Sequence, residues 1–99
     1  MSCPATSSGL KIADGVILAG PGKLRGLQVL ADGTNAATVI LYDNATAASG
    51  TVLAKLTVDA TLTEASAGGI PSEGIWANSG IYADVTGTGA EFIVYFDKN

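Results

Sequence analysis

The sequence contains no histidine and a single cysteine, and only 14% of its residues are charged. Each scarcity excludes something. Without histidine the chain lacks the commonest general base near neutral pH and the commonest transition-metal ligand. With Cys3 as the lone thiol, no disulfide can close within the chain, which fits a reducing compartment. The five basic residues, Lys11, Lys23, Arg25, Lys55 and Lys98, are scattered among nine acidic ones. There is no positive stripe to neutralise phosphates, so nucleic acid is not an expected partner. No run approaches the roughly 18 apolar residues of a membrane-spanning helix, and no membrane partner is expected. Residues 1–9 do not show the basic start and apolar stretch of a signal peptide. A helical apolar period never persists for three turns.

Apolar residues, by contrast, are plentiful. Hydrophobic residues make up 47% of the chain, with 13 glycines besides. An average soluble domain carries roughly 25% charged residues. A chain so short and so weakly charged has more apolar surface than one small core readily hides, which favours a homo-oligomer, with a trimer as the first expectation.

The pattern is that of strands. In the segment Gly80-Ile81-Tyr82-Ala83-Asp84-Val85-Thr86, the residues Ile81, Ala83 and Val85 alternate with Tyr82, Asp84 and Thr86. After Gly87-Thr88-Gly89, the residues Ala90, Phe92, Val94 and Phe96 alternate with Glu91, Ile93 and Tyr95. Period 2 on both sides of a tight turn predicts a β-hairpin, with Phe92, Val94 and Phe96 as one core-facing row. Earlier strands are expected over residues 23–31, 36–42 and 51–58. In the last of these Val52, Ala54, Leu56 and Val58 should share a face. Residues 10–18 predict two short strands or one bent strand, Thr61-Leu62-Thr63 a further short one, and Ile75-Trp76 the start of another. Gly20-Pro21-Gly22, Asp32-Gly33-Thr34-Asn35 and residues 43–50 read as turns or loops, and residues 68–74 as a loop. Residues 1–9 read as a flexible arm, and residues 10–99 as a single domain. Turn signals every 8–12 residues, with one longer connection near residues 59–74, predict an all-β antiparallel β-sandwich of jelly-roll type.

No residue group carries a recognisable chemistry. Asp32, Asn35, Asp43 and Asn44 are possible calcium ligands, but their spacing is not that of an EF-hand, and Asp and Asn are ordinary turn residues. Asn44-Ala45-Thr46 fits the glycosylation pattern but has no secretory context. Gly15, Gly20, Gly22 and Gly26 lead into a strand pattern rather than the helix a phosphate loop needs. Glu64, Glu73, Asp84 and Glu91 offer carboxylates for a hydrolytic pair, with nothing to bring two together. Trp76, with Tyr82, is a candidate stacking platform, yet tryptophan is also an ordinary core or interface anchor. No catalytic residue, cofactor or metal is expected, and the chain reads as a non-enzyme.

The glycine-rich Ala67-Gly68-Gly69-Ile70, the run Gly80-Ile81-Tyr82-Ala83-Asp84-Val85-Thr86-Gly87-Thr88 and the closing Glu91-Phe92-Ile93-Val94-Tyr95-Phe96 resemble the C-terminal part of small structural proteins of tailed bacteriophages. Residues 36–56 are similar in style, with an apolar strand, an Asp-Asn-Ala-Thr loop and a second alternating strand. The resemblance implies a virion protein made in the host cytoplasm. The expected role is a head decoration (cement) protein, or a tail or connector subunit, docking as an oligomer on other virion proteins such as the major capsid protein. The alternative is a carbohydrate- or receptor-binding module of a tail or fibre.

Overall fold

The computed structural model describes residues 6–59, 64–66 and 74–98, and of residues 64–66 the strand alone. The described chain is all strand and turn: β1 (Thr6–Ser7), β2 (Gly15–Ala19), β3 (Gly22–Leu30), β4 (Ala37–Tyr42), β5 (Val52–Val58), β6 (Glu64–Ser66), β7 (Ile75–Ala77), β8 (Gly80–Thr86) and β9 (Glu91–Lys98). They form two antiparallel sheets packed as a β-sandwich. The first runs β1-β9-β3-β6, with β7 paired to the other half of the β3 edge; the second runs β2-β8-β4-β5. The expected all-β antiparallel sandwich is therefore what the chain forms.

The alternation in the sequence becomes two facing apolar layers. Leu24, Leu27, Val29, Phe92, Val94 and Phe96 line the inner side of the first sheet. Leu18, Val39, Leu41, Val58, Ile81 and Ala83 line that of the second. No charged or polar side chain is buried among the described residues. The Phe92, Val94, Phe96 row faces inward as expected.

The final hairpin does not form. β8 pairs with β2 and β4, whereas β9 pairs with β1 and β3 in the opposite sheet. Gly87 (φ 121°) and Gly89 (φ 74°) carry the chain across the core instead of folding it back. Alternation reports which side chains point inward, and it is the same whether two strands pair or face each other across a core.

Three bulges adjust the faces. At Arg25 the extra residue lets Leu24 and Leu27, three apart, both point inward. A second lies between Val16 and Leu18, opposite Tyr82 and Ile81. A third, at Leu53, pairs Tyr42 with Val52 and Leu41 with Ala54. Val52 is thereby turned outward and is 51% exposed, so it does not share the face of Ala54, Leu56 and Val58.

The N-terminal boundary also moves. Within the expected arm of residues 1–9, Thr6 and Ser7 pair with Phe96 and Tyr95. Ser8 N donates to Val94 O at 2.8 Å, and its Oγ accepts from Val94 N at 2.9 Å. Residues 6–8 thus belong to the sandwich because β9 would otherwise present an open edge. Over residues 10–18, expected as two short strands or one bent strand, Lys11 makes a single bridge to Phe92 before β2 begins. β7 appears where Ile75-Trp76 predicted it, extended to Ala77. The short strand expected at Thr61-Leu62-Thr63, and all of the expected 68–74 loop but Gly74, lie outside the described residues.

Candidate functional site

The turn residues are occupied with their own backbone. Asp32 Oδ1 accepts from Thr34 N at 2.8 Å and Asn35 N at 2.7 Å, and Oδ2 from Asn35 Nδ2 at 3.0 Å. These bonds, Asn35 N foremost, hold the Asp32 carboxyl below its ordinary pKa. Asn44 Oδ1 accepts from Thr46 N and Ala47 N, while its Nδ2 donates to Ser49 O. Asp43 accepts from Ser79 N at 2.8 Å and Asn78 N at 3.2 Å, tying the β4–β5 loop to the β7–β8 turn. Asp32 and Asp43 lie beyond opposite ends of six-residue β4, about 20 Å apart at strand rise, so the four residues cannot share an ion.

Gly15 sits in β2, Gly20 at the β2–β3 turn, and Gly22 and Gly26 in β3, with no helix following among the described residues. Of the four carboxylates expected as hydrolytic candidates, Glu73 lies outside the described residues. Glu64 and Glu91 both flank Leu30 in the first sheet, while Asp84 is in the second. The carboxylate that does approach Asp84 is Asp14, seventy residues earlier. Asp14 Oδ1 also accepts from Val85 N at 2.7 Å. Burial first, and then the neighbouring Asp14 carboxylate, raise the Asp84 carboxyl above its ordinary value. Neither carboxylate is ion-paired among the described residues, where the one salt bridge is Arg25–Asp97 at 3.2 Å.

Trp76 and Tyr82 do not form a common platform. Trp76 pairs with Lys23 and is 47% exposed, next to the buried Ala77, so it lies on the outer face of the first sheet. Tyr82 sits between the buried Ile81 and Ala83 and lies on the outer face of the second.

Register resolves that second outer face into three rows across the strands, since paired residues share a side. Val16, Tyr82, Tyr42 and Val52 form an apolar and aromatic row over all four strands. Asp84, Ile40 and Lys55 form the next, with Asp14 beside Asp84. Thr86, Thr38 and Thr57 form the third, where the Thr38 and Thr57 hydroxyls lie 3.1 Å apart. Val16 and Val52, at the two ends of the first row, are 43% and 51% exposed. The first sheet's outer face carries Trp76, Lys23 and Asp97 in one row and Tyr95 over Gly26 in the next. Both phenylalanines are therefore in the core, while the tryptophan and all three tyrosines stand on the two outer faces.

These surfaces are suited to contact. The groove of about 270 Å³ lined by residues 10–17 is formed by one stretch of chain and brings no second element to face a substrate. Compared with known proteins, the chain matches no family model, no curated protein and no solved structure.

Proposed function

We propose that this chain is a non-enzymatic structural module of a bacteriophage virion, a head decoration or cement protein that docks as a homo-oligomer on neighbouring virion proteins. One observation carries the reading: aromatic side chains stand on both outer faces of a thin sandwich, Trp76 and Tyr95 on one and Tyr42 and Tyr82 on the other. A module with two such faces can bridge two neighbours. Tyrosine and tryptophan are the residues that anchor protein interfaces while tolerating partial exposure. The strand order supports reading the sandwich as a jelly roll, with β1-β9-β3-β6 facing β2-β8-β4-β5 and the chain crossing between the sheets at every connection except β4–β5 and β6–β7. Viral capsid and lectin domains both use that architecture, so the analogy raises this reading and its rival together.

The rival is a carbohydrate- or receptor-binding module of a tail or fibre. What favours it is the exposed Trp76 beside Lys23 and Asp97, an aromatic surface with charged neighbours. Mixing the purified chain with particles that lack it, then sedimenting and imaging them, separates the two. Stoichiometric decoration of the head, reduced by Tyr82→Ala, is the expected result. Binding to a glycan panel that depends on Trp76, with no decoration of particles, would replace the first reading by the second.

A further inference from the structure

We propose that the outer face of the β2-β8-β4-β5 sheet is an isologous interface, closed by the same face of a second copy of this chain about a two-fold axis parallel to the strands. The proposal takes from the preceding reading only that outer faces are contact surfaces.

The arrangement of charge decides the partner and the axis. In the middle row the two carboxylates, Asp14 and Asp84, lie on the β2-β8 side, and Lys55 lies on the β5 side, with Ile40 between. A two-fold axis along the strands, between β8 and β4, leaves each row opposite itself but reversed from left to right. The row of Val16, Tyr82, Tyr42 and Val52 then meets its own copy, apolar on apolar. The threonine row meets threonines. Lys55 of each copy arrives over Asp14 of the other, with Asp84 one strand spacing of about 4.8 Å to the side, and supplies the cation that neither carboxylate has within the described chain. A two-fold axis across the strands would instead stack Asp84 on Asp84 and the apolar row on threonines. Only the first axis is self-complementary.

The size of the face sets the expected strength. Four strands about 4.8 Å apart and about 20 Å long present roughly 300–400 Å² of flat face per copy. Counted over both copies, that is below the about 1,000 Å² of a stable specific interface, so the association is of the weak, transient and concentration-dependent kind. Aligned sheets cross at about 30°, which displaces a residue 7 Å from the axis by roughly 4 Å, within the reach of a lysine side chain.

The test is sedimentation velocity of the purified chain from about 1 to 500 μM, spanning the micromolar range expected of a small interface. The expected result is reversible conversion of the 9.8 kDa chain to a species of twice that mass. Lys55→Glu should weaken the pairing at least about tenfold, the loss of roughly 1.4 kcal/mol. Lys55→Glu combined with Asp84→Lys should recover most of it, each variant being checked as folded by circular dichroism. Independently of any variant, zero-length carbodiimide coupling in a mixture of ¹⁴N and ¹⁵N chains should join Lys55 to Asp84 or Asp14 between isotopically different copies. A monomer throughout, a trimer, pairing indifferent to Lys55→Glu, or coupling confined to other residues would overturn the proposal. Particle decoration is read separately, so a failure here leaves the virion reading standing or falling on its own experiment.

Discussion

The Asp43 carboxylate accepts the backbone N–H of Ser79 at 2.8 Å, joining the loop after β4 to the turn before β8 across 36 residues of sequence. That bond, with the one from Asn78, holds the Asp43 carboxyl below its ordinary value of 3.8, against an opposing effect of burial. Asp43→Ala should lower stability by about 1–2 kcal/mol, as losing an aspartate that caps exposed backbone donors does. A folded pKa below the unfolded one gives stability that is full above the unfolded value and is lost as pH falls through the folded value. Urea titrations at pH 7 and below pH 4 should therefore show the mutant's deficit shrinking in acid. An equal deficit at both would mean that the carboxylate charge is not what matters.

Asp84 should behave oppositely. Its carboxyl is raised by burial and by Asp14, so ionisation is disfavoured in the folded chain. The associated stability is present below the unfolded pKa and lost as pH rises through the folded pKa. Asp84→Asn should stabilise the isolated chain at pH 7 and bring no gain in strong acid. Thermal melts at low micromolar concentration, where pairing is minimal, read this directly. Destabilisation at pH 7 would show that the Asp84 charge is not penalised in the folded chain.

Two glycines make a matched contrast. A Cβ on Gly22 would fall 2.4 Å from Asp97 O and 2.5 Å from Leu18 Cδ2, so backbone must move. One on Gly15 would meet nothing within 4 Å, at a φ open to alanine. Gly22→Ala should cost about 1–3 kcal/mol, as overpacking does. Gly15→Ala should be neutral or stabilising by up to about 1 kcal/mol through the unfolded chain. Chemical denaturation of both variants checks the pair, and a harmless Gly22→Ala would contradict the close approach of Asp97 O and Leu18 to Gly22.

The same distinction between local and distant information governs what could be read in the sequence. The inward rows Ile81, Ala83 and Phe92, Val94, Phe96 are legible because side-chain direction in a strand is a local, period-2 property. Strand partnership is not local: β8 and β9 alternate as a hairpin would, yet they face each other across the core. Bulges escape for a related reason. Nothing in Val52-Leu53-Ala54 announces the extra residue, and one such residue moves Val52 to the opposite face. The second outer face was hidden twice over, since the period-2 pattern groups Val52 with Ala54, Leu56 and Val58 and the approach of Asp14 to Asp84 spans seventy residues. The turn chemistry of Asp32 and Asn44 was legible because those bonds close within three to five residues.

Core burial sets the largest single effect. Phe92 is fully buried, second in β9 and opposite Val29. Phe92→Ala should cost about 3–5 kcal/mol, the transfer of the ring plus the cavity it leaves. Urea unfolding gives the number directly. A loss below about 1 kcal/mol would mean that the core collapses around the site far more readily than a rigid two-sheet packing allows.

The short pairing of residues 6–8 with β9 should matter beyond its length. Thr6 and Ser7 cover the edge of β9 opposite Phe96 and Tyr95, and the Ser8 hydroxyl accepts the partly buried Val94 N–H at 2.9 Å. Ser8→Ala removes that acceptor and leaves the Val94 donor without its partner, at a cost of about 1–2 kcal/mol. Deleting residues 1–9 removes the strand as well and turns β9, rich in Phe92, Ile93, Val94, Tyr95 and Phe96, into an open edge. Such an edge is a template for further strand addition. The truncated chain should therefore melt earlier than the Ser8→Ala variant and form higher-mass species on standing. Parallel melts and size-exclusion runs compare the three chains. If the truncated chain melts with the full one and stays unaggregated, β1 contributes nothing to the sandwich, and residues 6–8 return to being a dispensable arm.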